Sequence, residues 1–284
     1  MIRLSLVQTS IKKGWNLMQY KFVAIDLDDT LLADDLKISP ETINAIQDAV
    51  EKGVHITLAT GRMYQSAAKF AKEININIPI ITYQGAYVKN IIDQKVVYQK
   101  LLPFDITIDI ITKLKEKKKA VQVYLNDKLY TDKDNQYAEK YSKVSMVDYY
   151  IADDLIKLVK EKGIEPMKIL VIDEPEKISK MSDEFNGIYG DKINITVSKP
   201  RFLEFSHAQA TKGQAIFYLT QKLGIKLDEV IAIGDSFNDL DMIQMAGLGV
   251  AMKNAHPRVK AVADYITKTN NDHGVAEVLK KFIR

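Results

Sequence analysis

The chain has 284 residues, with 40 lysines and arginines against 37 aspartates and glutamates, which gives a net charge of +3. So small an excess provides no basic surface for nucleic acid, and no apolar run approaches the length of a membrane span. Cysteine is absent, which excludes disulfides and thiolate metal sites and is typical of a reducing compartment. We therefore expect a cytoplasmic protein that binds neither nucleic acid nor membrane; composition carries no information on its oligomeric state.

The first segment differs from the rest of the chain. Residues 1–19 contain a short apolar stretch that Lys12 and Lys13 follow, which is the reverse of the order in a secretory signal. Regular patterning begins at Tyr20. We expect residues 1–17 to be an upstream extension and residues 1–19 to be a leader outside the fold, with an amphipathic anchor as the alternative.

Strand and helix patterns alternate in the first part of the chain. Residues 21–25 form a short apolar run, which predicts a buried strand that ends in carboxylates. Ser39 and Pro40 then predict the N-cap and the first position of a helix. Residues 54–60 and 79–85 predict two further strands. The alternation indicates a parallel α/β sheet.

The pattern changes in the middle of the chain and returns near the end. In residues 86–199, short paired strands are mixed with helices, which is typical of an α+β module. The first pattern returns with a helix at residues 211–225 and strands at residues 230–235, 247–252 and 265–267. We therefore predict an α/β fold: a doubly wound, Rossmann-like core of residues 20–85 and 200–284, with an inserted α+β cap at residues 86–199.

Four polar motifs stand at predicted strand ends or helix starts. They are Asp26-Leu27-Asp28-Asp29-Thr30, Thr60-Gly61-Arg62, Lys212, and Gly234-Asp235-Ser236-Phe237-Asn238-Asp239. Each motif alone is typical of an ordinary turn, helix cap or surface lysine. Because ligands bind at the carboxyl ends of parallel strands, the four together predict one crevice.

The residue types in these motifs suit phosphoryl transfer. Asp26 and Asp28 are two residues apart and leave the strand on the same side, so one carboxylate can attack while the other transfers protons. Asp235 and Asp239 add hard oxygen ligands, and clustered carboxylates favour Mg²⁺. Lys212 provides a fixed positive charge for phosphate oxygens.

Further donors for a phosphate group follow the second strand. The hydroxyl of Thr60 and the backbone N–H of Gly61 stand near the start of a helix, where backbone N–H groups favour anions. Phosphate monoesters hydrolyse very slowly without a catalyst, so this much electrostatic stabilisation is needed.

These motifs resemble those of haloacid dehalogenase superfamily phosphatases, in the Cof-like branch that has a large cap after the second motif. The matching segments are DLDDTLL, ATGR, KGQA and GDSFND, and the tail segments GVAMKNAHPRVKAVADYIT and NNDHGVAEVL are also similar. The resemblance covers residues 20–284. It implies a magnesium-dependent phosphatase that acts on small phosphorylated molecules.

The resemblance also implies roles by position. Asp26 would be the nucleophile and a metal ligand. Asp28 would be the acid/base and would give its backbone carbonyl to Mg²⁺. Asp235 would be a further metal ligand, supported by Asp239. The residues that would bind the substrate phosphate are Thr60, Gly61, Lys212 and Asn238.

One position departs from the branch, which commonly has Asn-Gly-Ala where the third strand meets the cap. This chain has Gln84-Gly85-Ala86, so a longer amide is expected at the mouth of the site. The departure bears on substrate recognition rather than on the phosphoryl chemistry.

Alternatives remain open at the level of the sequence. A phosphotransferase such as a phosphohexomutase could use the same residues with a second sugar in place of water. A non-catalytic phosphometabolite sensor is the rival from another class, although a sensor needs neither a nucleophile nor an acid/base. Sugar phosphates are the default substrates of the branch, with pyridoxal phosphate and flavin mononucleotide as further possibilities.

Overall fold

The computed structural model describes residues 20–76, 78–132 and 136–283, except for the side chain of Gln136. The predicted leader, residues 1–19, lies outside the described residues. In the described part of the chain, no helix has both the length and the apolar character needed to span a membrane.

The described strands form three sheets. The strands are β1 Phe22–Ile25, β2 His55–Leu58, β3 Ile80–Thr82, β4 Tyr87–Lys89, β5 Val96–Gln99, β6 Val121–Leu125, β7 Lys128–Thr131, β8 Tyr149–Ile151, β9 Lys168–Ile172, β10 Ile193–Lys199, β11 Phe202–His207, β12 Val230–Gly234, β13 Leu248–Ala251 and β14 Tyr265–Ile266. A parallel sheet has the order β14-β13-β12-β1-β2, a mixed sheet has the order β10-β11-β9-β6-β7-β8, and a small antiparallel sheet has the order β3-β4-β5.

Helices separate most of the described strands along the chain. They are α1 Pro40–Glu51, α2 Tyr64–Glu73, α3 Phe104–Glu116, α4 Gln136–Ser145, α5 Leu155–Lys162, α6 Pro175–Tyr189, α7 Lys212–Leu223, α8 Leu240–Met245, α9 Pro257–Lys260 and α10 Gly274–Phe282. Ser39 is the N-cap of α1, as predicted, and its side chain accepts a hydrogen bond from the N–H of Thr42.

Strand β1 lies inside the parallel sheet because every residue of its FVAI segment is apolar. It pairs with β12 on one side and β2 on the other, and all four of its residues are buried. An all-apolar strand of this kind suits a parallel sheet that is covered on both faces. The predicted fold class, a parallel α/β core with an inserted α+β module, is confirmed.

The sheets indicate where the inserted module begins and ends. The β3-β4-β5 sheet joins the core through a bridge between Ala59 and Ile81, and β11 is hydrogen-bonded to β10 and β9 of the six-stranded sheet. The divisions expected at residues 85/86 and 199/200 therefore cut through hydrogen-bonded sheets. We propose instead that the module spans about residues 101–207, because both sheets then stay intact.

The six-stranded sheet packs differently on its two faces. Val121 and Val123 belong to the buried cluster that includes Ile110 of α3 and Phe185 of α6. Tyr124, from the opposite face of β6, belongs to the cluster that contains the parallel sheet. The module thus covers one face with its own helices and turns the other face toward the core.

Candidate active site

The carboxyl edge of the parallel sheet brings two predicted residues together. Asp26 follows β1 and Asp235 follows β12, and these strands are neighbours in which Ile25 pairs with Ile233. The backbone N–H of Asp26 donates to the carbonyl of Ile233 at 2.9 Å. Both carboxylates are buried, with exposed fractions of 5% and 7%.

Lys212 links two of the acidic residues. It is the first residue of α7, after the N-cap Thr211, and its side chain is fully buried. Its Nζ atom donates to Asp26 Oδ1 and to Asp239 Oδ1, both at 2.5 Å. Burial lowers the pKa of Lys212, but the charges of Asp239 and Asp26 outweigh burial and raise it above its ordinary value. The ammonium is therefore a fixed positive charge.

Asp239 shapes the loop after β12. Its Oδ2 atom accepts hydrogen bonds from the backbone N–H groups of Asp235, at 3.0 Å, and Ser236, at 2.9 Å. A Cβ atom on Gly234 would lie 2.5 Å from Asp239 Cγ, so the glycine is required for this close approach. Asp239 thus positions the Asp235 backbone while its other oxygen binds Lys212.

Hydroxyl groups orient the carboxylate of Asp235. Thr30 Oγ1 donates to its Oδ1 atom at 2.9 Å, and Ser236 Oγ donates to its Oδ2 atom at 2.8 Å. Burial, followed by the negative charge of Asp239, raises the pKa of Asp235 to about 6. Sequence reasoning gave neither Thr30 nor Ser236 a role, although both stand inside the predicted motifs.

The three buried carboxylates form an acidic cluster. One oxygen from each of Asp26, Asp235 and Asp239 lies within 4.8 Å of the others. Burial is the largest cause that raises the pKa of Asp26 well above its ordinary value; Lys212 lowers this pKa, whereas Asp239 and Asp235 raise it. The cluster has three carboxylates and one lysine, and all of its possible metal-ligand atoms are oxygens. This cluster could hold a metal ion, and its hard ligands suit Mg²⁺.

Asp28 lies beside this cluster but has a different partner. Its Oδ2 atom accepts a hydrogen bond from Arg62 Nε at 2.9 Å, and its Oδ1 atom accepts one from Arg62 Nη2 at 2.5 Å. Burial raises the pKa of Asp28, but the hydrogen bonds and charge of Arg62 outweigh burial and lower it below its ordinary value. Arg62 had no role in the sequence interpretation, although it ends the ATGR segment.

The remaining predicted residues line the loops after β2 and β12. Thr60 is buried, and its Oγ1 atom accepts from the N–H of Arg62 at 3.2 Å. The amide of Gln84 lies against Gly61, where a Cβ atom would be 2.4 Å from Gln84 Nε2. Asn238 Nδ2 donates to Gln84 Oε1 at 2.8 Å, and its Oδ1 atom is buried with no hydrogen-bond partner among the described residues. Gln84 thus connects two loops that carry predicted phosphate ligands.

Gly85 packs directly against the start of α7. Its φ is +99°, and a Cβ atom would lie 2.1 Å from the carbonyl oxygen of Thr211. Both facts require glycine. This contact holds the first turn of α7, and therefore Lys212, against the loop after β3.

Comparison with known proteins agrees with this geometry. The model of the haloacid dehalogenase-like hydrolases matches residues 23–279, and the chain belongs to this family. The predicted resemblance and the hydrolase class are thereby confirmed.

Three relatives illustrate the likeness. The 5-amino-6-(5-phospho-D-ribitylamino)uracil phosphatase YcsE of Bacillus subtilis is 32% identical over 266 residues, covering 93% of this chain and 96% of its own. TM0651 from Thermotoga maritima is 34% identical in sequence, and its crystal structure matches with a TM-score of 0.84 over 93% of this chain and 97% of its own. The sugar phosphatase BT4131 is 25% identical with a TM-score of 0.78, covering 92% and 98%.

Proposed function

We propose that this chain is a magnesium-dependent phosphatase that hydrolyses small phosphorylated metabolites through a phospho-aspartate on Asp26. The observation that carries the proposal is the buried arrangement of Lys212 with Asp26 and Asp239, beside Asp235, at the carboxyl edge of the parallel sheet. The cysteine-free composition supports a reducing compartment such as the cytoplasm.

In the first step, Asp26 attacks the phosphorus atom of a phosphate monoester. Lys212 holds Oδ1, which leaves Oδ2 to form the new bond to phosphorus. The bond between phosphorus and the leaving oxygen breaks. Asp28 takes up a proton from solvent before this step, in place of a hydrogen bond from Arg62, and gives that proton to the leaving oxygen. Asp28 is half-exposed, so its carboxylate is open to a substrate and to water.

In the second step, water replaces Asp26 on phosphorus. Asp28 takes a proton from the water molecule, whose oxygen bonds to phosphorus while the bond to Asp26 breaks. Inorganic phosphate leaves and both aspartates return to their starting states. Lys212 keeps Asp26 oriented through both steps, and the Thr60 hydroxyl and the Gly61 N–H would bind phosphoryl oxygens.

The buried carboxylates fit a divalent cation. Mg²⁺ would be held by Asp26, Asp235 and the backbone carbonyl of Asp28, with Asp239 in support, and when bound it would neutralise negative charge on the phosphoryl group. Its charge would also offset the excess of three carboxylates over the single ammonium of Lys212.

Sugar phosphates and sugar-alcohol phosphates are the substrate class that we favour. Two of the relatives carry names that specify a ribitylamino compound and a sugar, and both substrates present a phosphorylated polyol. The inserted module would contact the part of the substrate beyond the phosphate.

The test is phosphate release from a panel of metabolites with Mg²⁺ and without any activating bisphosphate. The panel contains hexose, pentose and ribityl phosphates together with pyridoxal phosphate and flavin mononucleotide. Asp235→Asn should abolish release, whereas Asp93→Asn, an acid-to-amide change on an exposed turn away from the site, should not. Release only when a sugar bisphosphate is added would favour the mutase, and no release from any compound would contradict the proposal.

A further inference from the structure

A turn of the inserted module reaches the core beside the site. Asn126 and Asp127 form the two-residue connection between β6 and β7, in which Leu125 pairs with Lys128. Both turn residues have positive φ, 47° and 58°, as a tight hairpin turn of this length requires. Asn and Asp tolerate this conformation better than most residues, so the turn is rigidly formed.

The side chain of Asp127 is buried among core residues. Its Oδ1 atom accepts hydrogen bonds from the N–H of Tyr64 at 3.0 Å and from the hydroxyl of Tyr83 at 2.7 Å. Its Oδ2 atom accepts from the N–H of Gln65 at 3.1 Å, and Gln65 Nε2 donates to the Asp127 carbonyl at 2.7 Å. Only 6% of Asp127 is exposed. Four hydrogen bonds thus join one residue of the module to the core.

Asp127 caps a helix that has no cap of its own. Helix α2 begins at Tyr64, and the side chain of its N-cap residue, Met63, makes no capping hydrogen bond among the described residues. The first N–H groups of a helix need an acceptor, which an aspartate ordinarily provides from the N-cap position. Here the acceptor comes from a different module, about sixty residues along the chain.

Both core segments that Asp127 contacts carry residues of the site. Tyr64 stands two residues after Arg62, which holds both oxygens of Asp28. Tyr83 directly precedes Gln84, which accepts a hydrogen bond from Asn238. The contact therefore fixes the loops after β2 and β3 together.

We propose that Asp127 is a clasp between the inserted module and the core, a positioning residue that orders the loops of Arg62 and Gln84 when the module is docked. The effect on turnover rests on the proposed phosphatase function, whereas the contact itself does not. Undocking the module exposes the first N–H groups of α2 and frees both loops. One carboxylate therefore couples docking of the module to the order of the two loops that carry Arg62 and Gln84.

The test compares Asp127→Ala with a matched control. Asp109→Ala also removes a carboxylate that accepts a tyrosine hydroxyl at 2.7 Å, from Tyr189, but this pair lies wholly inside the module. Asp127→Asn keeps one acceptor oxygen and should fall between Asp127→Ala and the wild type. Tyr83→Phe removes only the hydroxyl partner and serves as a mild variant should Asp127→Ala fold poorly.

Two measurements are made on each variant in the full chain. Hydrogen exchange at residues 60–66 and 83–86 should be at least about tenfold faster in Asp127→Ala and unchanged in Asp109→Ala. With p-nitrophenyl phosphate and Mg²⁺, kcat/KM of Asp127→Ala should fall at least about tenfold, mostly in kcat. In the Asp127→Ala background, adding Tyr83→Phe should change kcat/KM by less than about twofold, because the two act through one contact.

Unchanged hydrogen exchange in Asp127→Ala would overturn the clasp. Equal losses of kcat/KM in Asp127→Ala and Asp109→Ala would also overturn it, because they would indicate general destabilisation. Normal kcat/KM with faster exchange would overturn the coupling to the site. If the wild type fails to release phosphate, the phosphatase proposal fails, and the exchange measurement still decides whether Asp127 holds the module on the core.

Discussion

Arg62 holds both carboxylate oxygens of Asp28, with hydrogen bonds of 2.9 and 2.5 Å. The guanidinium is mostly buried, with 12% of the Arg62 side chain exposed, and it lies 5.2 Å from the centre of the Phe70 ring. A planar guanidinium that binds a carboxylate through two atoms fixes its orientation. The proposed acid/base is therefore positioned by its neighbour on the loop after β2.

The contact between Arg62 and Asp28 predicts that substitutions of the two residues have non-additive effects on kcat. Asp28→Asn should lower kcat at least about 100-fold with an alkyl phosphate, because the amide cannot transfer the proton. Arg62→Ala should lower it less, because Asp28 remains but loses its orientation. The measurement is a double-mutant cycle on kcat. The double variant should match Asp28→Asn, and fully additive losses would show that Arg62 acts independently of Asp28.

The contact of Gly85 with Thr211 predicts a loss of stability on substitution. Gly85→Ala should lower the free energy of unfolding by about 1–3 kcal/mol, because the new Cβ atom meets a backbone oxygen and the positive φ is strained. Gly187→Ala is the control. Gly187 lies in α6, and the methyl group of an alanine there would meet no atom within 4 Å, so alanine should stabilise by about 0.5–1 kcal/mol. Urea denaturation measures both, and a neutral Gly85→Ala would contradict the close contact.

Much of the fold and of the site follows from local sequence patterns. The apolar run of β1 and the Ser39-Pro40 helix start needed no tertiary information, because periodicity and capping are local signals. The four motifs predicted one crevice because parallel strands end at a common edge. Asp26, Lys212 and Asp239 do meet there.

The contacts that sequence patterns missed join residues far apart in the chain. The hydrogen bond from Thr30 to Asp235 spans 205 positions, and the one from Tyr83 to Asp127 spans 44. The bounds that we propose for the inserted module depend on a contact of the same kind. Strand β11 resembles any short apolar strand, and only its pairing with β9 assigns it to the six-stranded sheet. Pairing of distant strands leaves no local signal.

The acidic cluster predicts dependence on a small divalent cation. EDTA should abolish phosphate release and Mg²⁺ should restore it, whereas Ca²⁺ should restore it poorly because it prefers more ligands at longer distances. Thermal unfolding supplies a second readout, because a ligand that binds the folded state raises Tm. Mg²⁺ should raise Tm of the wild type but not of Asp235→Asn. Full activity in metal-free protein would contradict the proposed cofactor.

Lys212 and Lys199 predict opposite patterns across a substrate panel. Lys212 is buried next to Asp26, so Lys212→Ala should lower kcat/KM for every substrate by a similar factor. Lys199 is an exposed residue of β10 whose positive charge helps to lower the pKa of Asp28.

Lys199→Gln should therefore lower kcat/KM for bisphosphates and other multiply charged substrates more than for simple monophosphates. The change should appear chiefly as a higher KM. Lys192→Gln, an exposed change in the same module, is the control. The panel is assayed as kcat/KM for each substrate. The opposite result would contradict these roles: Lys212→Ala would change the ranking of the substrates by kcat/KM, and Lys199→Gln would lower kcat/KM of all substrates by a similar factor.

The most direct test of the proposed mechanism is to trap the phosphoryl group on Asp26. Wild-type enzyme is mixed with substrate and Mg²⁺, quenched in acid during turnover, and digested for peptide mass spectrometry. The phospho-aspartate mechanism predicts one added phosphoryl group on Asp26, none in Asp26→Asn, and a loss of kcat in that variant of at least about 1000-fold. A folded Asp26→Asn variant that still turns over substrate, or a phosphoryl group on another residue, would contradict it.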